Sequence, residues 1–115
     1  MQYMLAVYGD ERAAEGTPRE QMTEIVNAHM AYTKILQDAK VLVASNRLRP
    51  TSAATTLRTV DGQTKVLDGP FAETKEQLGG YYLIDVPDLD AALNWAKRCP
   101  GVRHGSIEVR PIWMM

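Results

Sequence analysis

The sequence predicts an α+β protein: a ferredoxin-like, split-βαβ antiparallel sheet with two helices on one face and an extra β-hairpin. Three observations lead there. Strand-like and helix-like apolar patterns follow one another as strand, helix, strands, loop, strand, helix, strand. Asp61-Gly62 sits between two alternating runs, a strong hairpin signal because both turn positions need positive φ. Finally, Met4/Ala6 with Leu5/Val7, and Tyr81/Leu83 with Tyr82/Ile84, make two strands apolar on both faces. Helices can cover only one of those faces. In a short chain the economical cover for the other is a second copy of itself, so a homodimer is expected.

Each element has its own local reason. Residues 3–8 are apolar throughout and stop at the Gly9-Asp10 turn signal. Thr17-Pro18-Arg19-Glu20 reads as a helix start, with Thr17 as the cap and Glu20 reaching back to complete a capping box. Met22, Ile25, Val26, His29, Tyr32, Thr33 and Leu36 then fall on one helical stripe. That helix should end between Asp38 and Lys40, before the strand-forming Val41-Leu42-Val43. Residues 55–60 and 63–67 are the hairpin arms. A Gly- and Pro-punctuated loop follows, in which residues 73–78 suit a short helix and Gly79-Gly80 let the backbone bend into a strand over 81–86. Asp88 caps a second helix whose buried stripe should be Leu89, Ala92, Leu93, Ala96 and Cys99, stopped by Pro100-Gly101. The last strand covers 106–112, and Pro111 puts it at an end or a sheet edge.

Composition narrows the function classes. A chain of 115 residues fits one domain, here 1–115, able to bury roughly 65% of its unfolded surface. No apolar run nears the ~18 residues of a membrane span, and no basic segment precedes the first apolar one. A soluble, cytoplasmic protein is expected, and the lone Cys99 agrees with a reducing compartment. Thirteen basic and fourteen acidic residues leave no net field for nucleic acid. Two histidines and one cysteine, far apart, have no zinc spacing, and no dinucleotide, Walker or nucleophile-elbow motif occurs. Neither a metal nor another cofactor is expected.

Four residues stand out as functional candidates. His29 lies inside the apolar stripe of the first helix, so it faces the sheet, where each ring nitrogen needs a partner. The residues leave two roles open: a structural histidine bonded to backbone, or an acid/base group held by a carboxylate. Asp68, before Gly69-Pro70, can shape the turn or supply that carboxylate. Arg49 or Lys75 could stand at a pocket mouth and anchor an anionic ligand, although Lys75 beside Glu76 also suits a solvated pair. Cys99 reads as packed rather than nucleophilic, and His104 as a loop residue.

The run from Asp68 through Gly69-Pro70-Phe71 to Gly79-Gly80-Tyr81-Tyr82-Leu83-Ile84-Asp85 resembles the signature of the DGPF-domain group within the YCII-related superfamily. Tyr3-Met4-Leu5, Leu48-Arg49-Pro50, the segment 96–100 and Val109-Arg110-Pro111 extend the likeness over nearly the whole chain, and His29 sits where similar sequences carry a first-helix histidine. The resemblance implies a dimeric α+β barrel in which two sheets face each other. The resemblance also implies that relatives in the wider superfamily use a His–Asp pair, which makes Asp68 the candidate partner of His29, and that isomerases and dehydrochlorinases belong to similar barrels. Two function classes follow: a cofactor-free lyase or isomerase acting on a small anionic metabolite, or a non-catalytic small-molecule-binding or regulatory domain associated with an alternative sigma factor.

Overall fold

The computed structural model describes residues 1–114. In chain order the elements are β1 (Gln2–Gly9), α1 (Glu11–Glu15), α2 (Arg19–Asp38), β2 (Leu42–Arg47), β3 (Thr55–Val60), β4 (Gln63–Asp68), β5 (Gln77–Asp85), α3 (Leu89–Lys97) and β6 (Gly105–Pro111), with 3-10 turns at Thr51–Ala53 and Pro100–Arg103. Four strands form an antiparallel sheet in the order β2-β5-β1-β6, and β3 pairs with β4 in a separate two-stranded sheet. The α+β class, the antiparallel sheet and the extra hairpin are those the sequence predicts.

Alternation along the two central strands sets the layers. Leu5 pairs with Tyr82 and Tyr3 with Ile84, and all four point to the side where α2 and α3 lie. There they enclose Tyr32 and Leu36 of α2 and Ala92 and Ala96 of α3. The two alanines let α3 approach closely, whereas Leu89 and Leu93, expected on its buried stripe, remain exposed at its flank. Met4 with Leu83 and Ala6 with Tyr81 occupy the opposite face, which carries no helix among the described residues. On β6 that face bears Glu108 and Arg110, opposite Ala6 and Met4 and ion-paired at 2.8 Å.

The hairpin turn has the backbone its sequence requires, with φ of 52° at Asp61 and 78° at Gly62. It forms an arm rather than a layer. Every residue of β4 is exposed, as is every residue of β3 except the half-buried Thr56. The molecule accordingly measures 48 × 44 × 19 Å with a radius of gyration of 16.0 Å. A compact chain of this length would have about 13 Å.

Three local expectations differ from the structure. Asp10 starts an extra short helix, α1, its carboxylate accepting from Arg12 N at 2.9 Å. Thr17 serves that helix instead of α2, donating to Ala13 O at 2.9 Å, and Pro18 takes the α2 cap position without a side-chain bond. Residues 73–76 are not helical. The chain uses residues 77–80 to lengthen β5, which pairs there with β1 and β2. Gly80 is needed in that extension because a Cβ would lie 2.8 Å from the Asn46 carbonyl oxygen of β2.

Candidate active site under the first long helix

Glycine also makes room for a site. Tyr82 and Ile84 fill the space beneath the second half of α2, where Tyr32 and Leu36 are buried. Two residues earlier on the same face of β5 stands Gly80, opposite Val7, with no side chain to fill the gap beneath the first half. A cavity of about 780 Å³ opens there, bounded by Met22, Ile25, Val26 and His29 above and by Val7, Gly80 and Tyr82 below. Residues of α1, of the end of β2 and of the segment after it complete its lining.

His29 hangs from α2 into this space. Its Nδ1 lies 2.7 Å from the Tyr82 hydroxyl, and the two rings are nearly parallel, 9° apart with centroids at 6.1 Å. Tyr82 is in turn held edge-on by Tyr32, at 5.1 Å, whose hydroxyl donates to the Trp95 carbonyl of α3 at 2.6 Å. The imidazole is therefore fixed by a short chain of packed aromatic groups crossing from helix to sheet to helix.

Burial, and then the positive charges of Arg47 and His104, hold His29 below its ordinary 6.5. At neutral pH the ring is neutral. Which atom carries the proton shared with Tyr82 decides what Nε2 can do. If Nδ1 donates to the tyrosine oxygen, Nε2 has a lone pair and is a base; if tyrosine donates, Nε2 carries a proton and is an acid. Burial also raises Tyr82, while a hydrogen bond from Thr33 acts in the opposite sense. Burial likewise pushes up the Cys99 thiol, which is packed in the core and faces no reactant.

The charged rim is unequal. Arg47, Arg49 and His104 border the cavity together with Asp10, Glu11 and Glu15. Asp10 is occupied as the cap of α1, and Glu11 accepts from Thr51 N at 2.8 Å and Thr51 Oγ1 at 2.6 Å. Among the described residues neither arginine takes part in an ion pair or a side-chain hydrogen bond, so both offer free guanidinium donors. No cluster of three metal-ligating side chains occurs among the described residues.

Of the four sequence candidates, the structure brings His29 and Arg49 to this cavity. Asp68 ends the exposed β4, paired with Thr55, and Lys75 is exposed in the loop beyond it; neither borders the cavity. Within the chain His29 meets a phenol, not that carboxylate. In the sequence Tyr82 stands out only as a strand residue, and nothing singles out Arg47. The alternation that puts Tyr82 on the face of Ile84 was available, but which helical residue lies above it was not.

A family model described as the YCII-related domain matches residues 1–115. The chain belongs to the YCII-related domain family. An uncharacterised protein of Rhizobium meliloti (strain 1021) is 42% identical over 114 residues, covering 97% of this chain and 92% of that one. Among solved structures, the 5-chloro-2-hydroxyhydroquinone dehydrochlorinase of Burkholderia phenoliruptrix AC1100, in complex with 2,5-dihydroxybenzoquinone, aligns with a TM-score of 0.51 over 98% of this chain and 94% of that one. At 14% identity this likeness concerns the fold.

Proposed function

We propose that this YCII-related protein binds a small, anionic, unsaturated metabolite in the cavity under α2 and moves a proton on it, as a lyase or isomerase does. The observation that carries the reading is His29: neutral, locked through Nδ1 to Tyr82 at 2.7 Å, with its other nitrogen left for the cavity. As a base, Nε2 takes a proton from a carbon beside a carbonyl. The electron pair then either expels a leaving group from the neighbouring carbon or shifts along the conjugated system. In the second case the imidazolium returns its proton elsewhere and the substrate is isomerised. Positioned acid/base catalysis of this kind contributes about 10²–10⁴-fold. Arg49 anchors the anion at the mouth, and Asp68 and Lys75 have no part within one chain. The dehydrochlorinase of similar fold, bound to a hydroxyquinone, makes a ring-shaped acidic substrate a sensible first choice for assay.

A second reading, a non-catalytic binding or regulatory domain, is favoured by one observation. The partner of His29 is a phenol, which does not strengthen the imidazole as a base in the way a carboxylate would. One experiment separates the two: assay a panel of hydroxyquinones and unsaturated carboxylic acids for turnover, and follow binding by thermal shift. Turnover lost in His29→Ala, with binding kept, supports the enzyme; binding that raises the midpoint without turnover of any compound supports the second reading.

Solution assembly belongs to the same proposal. Among the described residues no helix lies over the face carrying Met4, Leu83, Ala6 and Tyr81, and a second copy meeting it there would form the facing-sheet barrel. Such an interface should bury more than about 2,000 Å². Light scattering should return twice the 12.8 kDa chain mass, and the chain mass alone at all concentrations would rule the dimer out.

A further inference from the structure

The rim of the cavity contains a cation that the proposed reaction has not used. Ser45 of β2 pairs with Tyr82, and Arg47, two residues further, lies on the same face of the strand, opposite Gly80. Arg47, an exposed residue, therefore borders the cavity beside the glycine gap and two residues along the strand from the partner of Tyr82, while Arg49 borders it two residues further along the chain. The charge of Arg47 is felt at His29, as is that of His104.

We infer that Arg47 is the inner anchor for an anionic group of the ligand, and that seating this anion is linked to proton uptake by His29. The linkage is electrostatic. In the free protein, the unpaired guanidinium opposes a positive charge on the imidazole. A bound carboxylate or enolate neutralises that field and adds a negative charge nearby, so His29 becomes the stronger base once its ligand is present. The other charged groups around the cavity leave this effect in place. Asp10 and Glu11 are tied to the α1 backbone and to Thr51, and Glu15 is exposed on α1. His104 is exposed after the Pro100–Arg103 turn, Arg49 is exposed on the cavity lining, and Tyr82 is kept uncharged by burial.

The consequence is a gate on reactivity. A base that is weak in the empty cavity and strengthened by the anion it acts on offsets the missing carboxylate partner of His29. This rests on the cavity being an anion site, but not on turnover. Its test can therefore fail while the proton-transfer reading survives, and the reverse also holds.

NMR titration of the His29 imidazole reads the linkage directly, with His104→Gln used to assign the two ring signals. Saturating fumarate, against sodium chloride of equal ionic strength, should raise the apparent pKa of His29 by about 0.5–1 unit. By reciprocity fumarate should then bind about three- to tenfold tighter below that pKa than above it. Arg47→Ala should raise His29 in the free protein and abolish the response to fumarate, Arg47→Lys should restore part of it, and Arg49→Ala should weaken binding while keeping the response. An unchanged His29 titration at saturation, an equal response in Arg47→Ala, or no binding of fumarate up to its solubility limit would overturn the inference.

Discussion

The central strands β1 and β5 and the hairpin arm β3–β4 share the same local design and meet opposite environments. Leu5 and Ile84 are completely buried, whereas Leu57 and Val66, facing each other across the arm, are each 67% exposed. Pairing and turn geometry are complete in both places. What differs is that α2 and α3 lie over one, whereas among the described residues nothing lies over the other. A two-stranded hairpin alone is marginal in water. This arm is held at its base, where Gly69 N donates to Ala54 O at 2.8 Å, Thr56 Oγ1 donates to Gly69 O at 2.8 Å, and the Arg58 guanidinium sits 5.2 Å from the Phe71 ring centre. Strand formation and strand burial are thus separate achievements.

The sharpest test replaces one leucine in each environment. Leu36→Ala, beneath α2, should cost about 2–5 kcal/mol in denaturant unfolding, through lost burial and the cavity left behind. Leu57→Ala on the arm should stay within about 0.5 kcal/mol. A loss at Leu57 as large as that at Leu36 would break the contrast, by placing the arm inside an interface between copies.

A smaller effect is expected at Gly80→Ala, where the new methyl would press on the Asn46 carbonyl and force β2 to shift. The expected cost is about 1–3 kcal/mol. Because Gly80 pairs with Arg47, the variant should also weaken anion binding measured by thermal shift. Unchanged stability would mean that β2 yields freely.

The smallest effect concerns pH. The folded value of His29 is lowered from 6.5, so as pH falls the unfolded chain takes up this proton first. The stabilising contribution of the neutral ring is therefore present above pH 6.5 and is lost as pH falls through 6.5 and on through the lowered folded value. Urea midpoints measured between pH 7.5 and pH 5 should fall less in His29→Gln than in the parent chain, with the carboxylate background common to both. Equal slopes would remove His29 from the buried side of the comparison.

Much of the fold was legible because it depends on neighbours a few residues apart. The stripe from Met22 to Leu36, the Asp61-Gly62 turn, the Asp88 cap and the edge position of Pro111 all follow from short-range rules, and the structure has each of them. Short-range rules also misled where two structures competed for one segment. Thr17 could close α1 or open α2, and it closes α1; residues 77–80 could end a helix or extend a strand, and they extend β5. The site was half legible. His29 announces itself as a polar residue in an apolar stripe, whereas the sequence leaves Arg49 and Lys75 as alternatives for the pocket mouth, of which Arg49 borders the cavity.

By itself, then, the sequence determined the main strands and the two long helices, the Asp61-Gly62 turn, the Asp88 cap and the face of α2 on which His29 lies, since steric and hydrogen-bonding preferences within a turn or a strand pair decide these. Only the tertiary structure decided that His29 meets Tyr82, 53 residues away, that Gly80 leaves a cavity beneath it, and that Arg47 borders that cavity while Asp68 stays on an exposed arm. Those outcomes depend on which strand lies beneath which turn of helix. That is set by the packing of Leu5, Tyr82 and Ile84 against Tyr32 and Leu36, contacts between segments far apart in the chain.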